Sequence, residues 1–238
     1  MKSGLARGTT TLLMGPSGTG KSSIALTYVY AALQRGEPCY FMVFDETLRV
    51  VKKRAAGMGM PLEAYLASGL LKLDQIDPAE LTPGELASRI QFAVEVQAAK
   101  IVVVDSLTGY LNAMPEEQYL VLQMHEISTY LNQKGIATLL LLANHGLVGQ
   151  MNTQVDLTYL SDTVILVRYF EAQGRIRRAV SVIKKRTGTH EDTIREFTLS
   201  AAGLSVGKAL DEFSGVLTGV PRYHGARDDL MGNRQSDA

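Results

Sequence analysis

Eight residues near the start of the chain, Gly15-Pro16-Ser17-Gly18-Thr19-Gly20-Lys21-Ser22, constrain the fold more than any other feature. They match the pattern Gly, any four residues, Gly-Lys-Ser, in which glycines let backbone N–H groups curl around a phosphate. Lys21 then reaches the β- and γ-phosphates and Ser22 holds Mg2+. The pattern needs a strand before it and a helix after it, because the helix N-terminus adds favourable partial positive charge. The sequence offers both: an apolar run over 10–14, and a helical stretch over 21–34 in which Ser23 joins the expected nucleotide contacts. A glycine-rich turn that merely happened to precede a lysine would lack this bracketing. The expected ligands are ATP and Mg2+.

The remainder repeats the alternation of strand-length apolar runs and helical stretches that marks a parallel sheet covered on both faces. Strands are expected over 39–44, 70–73, 101–104 and 138–142, and helices over 48–58, from Pro83 toward Ala99, and through Leu120, Met124, Ile127 and Leu131 as far as Gly135. Thr82-Pro83-Gly84-Glu85 carries a capping box with proline at the first helical position. The fifth strand is taken to complete the core sheet. From Asp162 the β-rich runs lengthen and the turns shorten, over 164–170, 175–184 and 194–199, which predicts an antiparallel extension. The chain therefore reads as an α/β fold, with one domain over 1–220 and a polar, disordered tail over 221–238. There is no internal repeat.

Composition narrows the class. The 24 basic residues equal the 24 acidic ones, so no bulk field recruits nucleic acid or an anionic membrane. Cys39 is the only cysteine, which excludes an internal disulfide and fits a reducing cytoplasm. Apolar runs are far shorter than a bilayer span, and the first residues lack the apolar core of a signal peptide. A cytoplasmic protein is expected.

Candidate chemistry gathers at strand ends. Asp105 follows four aliphatic residues, which puts its carboxylate at the carboxyl end of a buried strand, where open α/β sheets bind ligands. It would hold Mg2+ through water, although Asp105-Ser106 also suits a turn or helix cap. Asp45 and Glu46 end the second strand, next in sequence to the loop strand and so near the γ-phosphate. Neighbours on a strand face opposite ways, which assigns them different work: Glu46 as base, Asp45 near Mg2+. Both could instead cap the following helix. Asn144 and His145 end the fifth strand and could sense the γ-phosphate or form a turn. Arg175, Arg177, Arg178, Lys184, Lys185 and Arg186 make a basic stretch without an acidic residue, in which Arg178, Lys184 and Arg186 share strand parity. Spacing alone leaves a solvated ribbon, a phosphate clamp and a nucleic-acid patch open.

The chain resembles the KaiC-like, circadian-clock type of the RecA superfamily of P-loop ATPases. The resemblance rests on 15–22, Phe44-Asp45-Glu46-Thr47, 102–106, 161–166, Lys184-Lys185-Arg186 and 194–197. It implies a RecA-like fold, a homohexameric ring with ATP between subunits, the paired strand-end carboxylates as catalytic base, and an unidentified regulatory protein as partner. It also implies that Lys184 and Arg186 reach the triphosphate of a neighbouring subunit, with Arg178 and His190 at nearby contact positions. The implied output is ATP hydrolysis, with Ser/Thr autokinase activity as a second output. The segment matching the Ser-Thr autophosphorylation pair reads Thr158-Tyr159, which departs from it at the second acceptor. A further departure is the missing glycine-rich turn before Gly4. Two other classes remain: a recombinase-type DNA-dependent ATPase and a nucleotide-binding assembly module. Against the first, residues 146–156 contain no lysine or arginine. No Asn-Lys-x-Asp guanine-reading motif is present.

Overall fold

A computed structural model describes residues 4–112, 117–144, 157–218 and 220–225. Its elements in chain order are β1 (Thr10–Pro16), α1 (Lys21–Leu33), β2 (Cys39–Val43), α2 (Leu48–Gly57), α3 (Glu63–Ala67), β3 (Leu71–Gln75), α4 (Pro83–Glu95), β4 (Ile101–Asp105), α5 (Leu107–Asn112), α6 (Glu117–Gln133) and β5 (Ala137–Asn144). Then follow β6 (Thr163–Ala172), β7 (Arg175–Lys185), β8 (Arg195–Ser200), β9 (Gly203–Ala209), β10 (Phe213–Ser214) and β11 (Arg222–Tyr223). Among the described residues nine strands make one sheet in the order β3-β2-β4-β5-β1-β6-β7-β8-β9, and β10 pairs with β11 apart from it.

Alternation in the strands builds two layers. Leu13, Phe41, Val103 and Leu141 face α1 and α2, where Val29, Leu33, Val51 and Ala55 meet them. Leu12, Met42, Val104 and Leu140 face the other way, onto Leu86 and Ile90 of α4 and Met124 and Leu131 of α6. β2 and β4 are buried at every position, as strands covered on both faces must be. α4 begins as its sequence dictates: the Thr82 hydroxyl accepts the Glu85 N–H at 3.2 Å, with Pro83 in the first turn. The result is the RecA-like architecture expected, a mostly parallel sheet flanked by helices with antiparallel strands at one side.

The structure corrects several expectations. The parallel set does not close at β5, because β6 lies beside β1 in parallel, with Thr11 opposite Thr163. β6 feeds both layers, Val164 one and Ile165 and Val167 the other, which is the environment of an interior strand. The antiparallel part therefore starts with β7. The polar tail does not begin at 221, because Arg222 and Tyr223 pair with Ser214 and Phe213, and the Tyr223 ring packs on Phe213. A β-bulge breaks the parity of β7: Val182 opposes Ile165 but Lys184 opposes Val164, which leaves Ile183 as the extra residue. Lys184 consequently lies on the opposite face from Arg178. Among the described residues no helix is long and apolar enough to cross a membrane.

Candidate functional site

The loop after β1 is shaped by its glycines. Gly15 has φ +153°, and a side chain there would collide with the Val167 carbonyl on β6. Gly18 and Gly20, at φ +78° and +103°, occupy the left-handed region that other residues avoid. Gly20 caps α1 without any side-chain bond, and the first turn of α1 holds no acidic residue. The first amides of α1 and its dipole are therefore aimed at the loop unneutralised. The Thr19 hydroxyl ties the loop by donating to the Pro16 carbonyl at 2.8 Å. Lys21 is buried, and its Nζ donates to the carbonyls of Gly15 and Pro16 at 2.7 and 2.8 Å. Burial pulls its pKa down to about 8, against the opposing field of Asp105.

Two carboxylate-bearing segments meet this loop. Asp105 closes β4, is 9% exposed, accepts a hydrogen bond from the Ser22 hydroxyl, and has its Oδ2 buried without a partner. Burial pushes its carboxyl up to about 6, with Glu46 adding to the rise while Ser22, Arg54 and Lys21 oppose it. Asp45 and Glu46 lie beyond the end of β2, so strand parity does not separate them, and both line the same cleft. Nor does β2 adjoin the loop strand: β4 and β5 lie between. The proximity arises because parallel strands deliver their carboxyl ends to one edge of the sheet. The Ser106 hydroxyl donates to Asp45 Oδ2 at 2.6 Å, and Gly109 of α5 leaves no room for a side chain beside that carboxylate. Glu46 receives two hydrogen bonds from Arg54, Nη1 to Oε1 at 2.8 Å and Nη2 to Oε2 at 2.7 Å.

A cleft of about 350 Å3 joins these groups: Ser17, Gly18, Gly20 to Ser23, Asp45, Glu46, Arg54, Asp105, Ser106 and Arg178 line it. Of the basic residues on β7, only Arg178 stands at the loop of its own chain, its guanidinium 5.8 Å from the Tyr169 ring centre and its Nε buried without a partner. Lys184 and Arg186 lie elsewhere. Lys184 Nζ donates to the Thr158 carbonyl and Arg186 Nη2 to that of Tyr159, both at 2.8 Å, and Arg186 also approaches Asp162. Lys185 and His190 line a different pocket, beside Gly4 and Thr11 at the opposite edge of the sheet. Asn144 ends β5 opposite Pro16. His145 and the segment 146–156 lie outside the described residues.

Sequence reasoning missed Arg54, Ser106 and Gly109. Arg54 stands eight residues after Glu46, across a strand-to-helix turn, where no fixed spacing marks a pair. Only its place beside Val51 and Ala55, the buried positions of α2, hinted that it turns inward.

The family description "ATPase: KaiC" matches residues 1–211. The chain is 26% identical over 222 residues to "Circadian clock protein KaiC3" of Synechocystis sp., which covers 93% of this chain and 44% of that protein. It is 29% identical over 223 residues to "Circadian clock protein KaiC2" of the same organism, covering 93% and 39%. With "Circadian clock oscillator protein KaiC" of Parathermosynechococcus lividus it shares 23% over 211 residues, covering 88% and 39%. The chain thus spans about two-fifths of the length of the curated relatives it matches. With a phosphate-binding loop, strand-end carboxylates and a family match over nearly nine-tenths of its length, this chain belongs to the KaiC ATPase family.

Proposed function

We propose that this KaiC-family domain binds Mg·ATP in the loop cleft and hydrolyses the γ-phosphate at the interfaces of a homohexameric ring. The observation that carries the reading is that one cleft collects Lys21, Ser22, Asp45, Glu46 and Asp105 from three separate chain segments. Loop amides and Lys21 hold the phosphates. The Mg2+ ligands would be Ser22, Asp105 and Asp45, an all-oxygen set of the kind this ion prefers, and the unpartnered Asp105 Oδ2 fits such a role. Mg2+ neutralises charge on the phosphates when bound. Glu46 accepts the proton of the attacking water, and Asp45, fixed by Ser106, orders the polar side of the cleft.

Lys184 and Arg186 act in trans. The Arg186 N–H bonds to the Asp162 carbonyl and the Asp162 N–H to that of Thr10, while Lys184 opposes Val164, which lies beside Leu12, so both basic residues sit along the first half of β1, whereas the loop follows its end. Roughly six residues of strand, about 20 Å, separate Arg186 from the loop, and roughly four, about 13 Å, separate Lys184 from it, beyond the reach of either side chain. A surface that is useless to its own site suits a neighbour's. Thr158, at the same edge, is an acceptor for a neighbour's γ-phosphate by the same reasoning. The biological setting is signalling or clock-type regulation in the cytoplasm, through a regulatory protein partner.

The test is paired. Lys21→Ala abolishes ATP binding in calorimetry, because no other side-chain cation belongs to the loop. Glu46→Gln keeps binding and loses about 10²–10⁴-fold in turnover. Wild-type turnover in Glu46→Gln moves the base to Asp45 or to neither. Mass spectrometry after incubation with Mg·ATP then separates a kinase, which carries phosphate on Thr158, from a plain ATPase.

A further inference from the structure

We infer that Arg54 is a positioning residue for Glu46: a two-point guanidinium clamp, projected from α2, that holds the glutamate carboxylate at the wall of the nucleotide cleft. The inference rests on the reading of Glu46 as base. Its basis is the geometry of the pair. Both terminal nitrogens of Arg54 meet both oxygens of Glu46, at 2.8 and 2.7 Å, the parallel fork that fixes a carboxylate in direction as well as place. Both side chains are mostly shielded, 25% and 31% exposed, so the pair is less screened than one on the open surface.

The root of the clamp is itself held. Arg54 lies on the second turn of α2, next to Val51 and Ala55, which are fully buried against the sheet. Glu46 stands just before Thr47, the residue that caps α2. Helix, cap and carboxylate are therefore one local unit, and forming α2 brings the guanidinium to the glutamate. The rest of the cleft shows why a clamp is needed. Asp45 is fixed by Ser106 and Asp105 by Ser22, but neither serine reaches Glu46. Glu46 shares the cleft with both aspartates. Like charges at short range repel, so an unclamped Glu46, with several rotatable bonds, would turn toward water. An acceptor displaced by about 1 Å costs up to 10²-fold in rate. Arg54 does not need to touch the reacting atoms to have this effect.

An arginine that served only as a positive charge would be replaceable by lysine, whereas a fork is not. The experiment measures kcat, KM and ATP affinity of the full chain for Arg54→Ala, Arg54→Lys, Glu46→Gln and the double variant Arg54→Ala/Glu46→Gln. The expected result is a 10- to 100-fold fall in kcat for Arg54→Ala, at near-wild-type ATP affinity and KM. Arg54→Lys recovers little of it. In the Glu46→Gln background, Arg54→Ala adds no further loss, because the residue through which it acts is already disabled. Wild-type kcat in Arg54→Ala, full recovery with lysine, or an undiminished loss in the Glu46→Gln background each overturns the inference. If Glu46→Gln itself turns over at the wild-type rate, the base assignment falls first and this inference with it. Should Arg54→Ala fail to fold, Arg54→Lys decides: reduced kcat at unchanged ATP affinity supports the clamp, and unchanged kcat refutes it.

Discussion

Asp105 ends a strand buried on both faces, and its carboxylate is carried into the interior with one oxygen unpaired. Burial raises its pKa from the ordinary 3.8 to about 6, so the folded chain holds this proton more tightly than the unfolded chain. Stability contributed by Asp105 therefore falls as pH rises from about 3.8 to about 6, and the penalty is fully present above that window. Asp105→Asn, measured without nucleotide or Mg2+, is expected to be more stable than the wild type at pH 7, by up to about 3 kcal/mol, and so to melt at a higher temperature. The advantage should vanish below pH 4. Equal melting temperatures at pH 7 would show that the carboxylate is not strained by its site. At this scale the sequence was legible where a backbone demand selects one residue type. Gly15, Gly18 and Gly20 sit where φ is positive, and that demand wrote the loop into the sequence. Arg54 and Ser106 were not legible, because a side-chain pair closed by the fold follows no spacing rule.

The elements divide in the same way. α4 was readable from Thr82, Pro83 and Glu85 because capping is local chemistry, and the cap bond is formed as the sequence implies. Thr82→Ala should lower stability by about 1 kcal/mol, shifting the melting temperature by about 2–4 °C while ATP binding is unaffected. An unchanged melting temperature would assign the start of α4 to packing by Leu86 and Ile90 instead. Gly15→Ala is expected to be far harsher, since the new methyl meets β6 backbone that has no room to move; the variant should lose thermal stability and ATP binding together. Retention of both would mean that the loop can stand away from β6. The reach of the parallel sheet was harder to read. β6 has the apolar runs of its antiparallel neighbours, and only its pairing with β1 reveals that it is parallel. β9 passed unnoticed because its exposed positions and two glycines carry little strand signal.

For the whole molecule, the placement of the basic residues makes the strongest claim. Under the proposed ring, Glu46→Gln and Arg186→Ala are each nearly inactive alone. Mixed rings contain some interfaces that pair an intact Glu46 with an intact Arg186, so partial ATPase activity should return on mixing. If subunit exchange is verified and no activity returns, Arg186 does not complete a neighbour's site. Hydrolysis should also rise with protein concentration as rings form. Sequence reasoning placed Arg178 with Lys184 and Arg186 by counting residues two at a time, and the count fails at Ile183. From Arg178 to Lys184 the chain advances six positions, while the opposing strand advances only from Tyr169 to Val164, five rungs of the ladder. An odd number of rungs turns the two basic side chains to opposite sides, so that in the proposed ring a single strand would serve its own cleft at one end and an adjoining subunit at the other. A chain lacking Ile183 would be shorter by one residue yet keep the same five rungs between these two positions, so the two basic side chains would still face opposite sides.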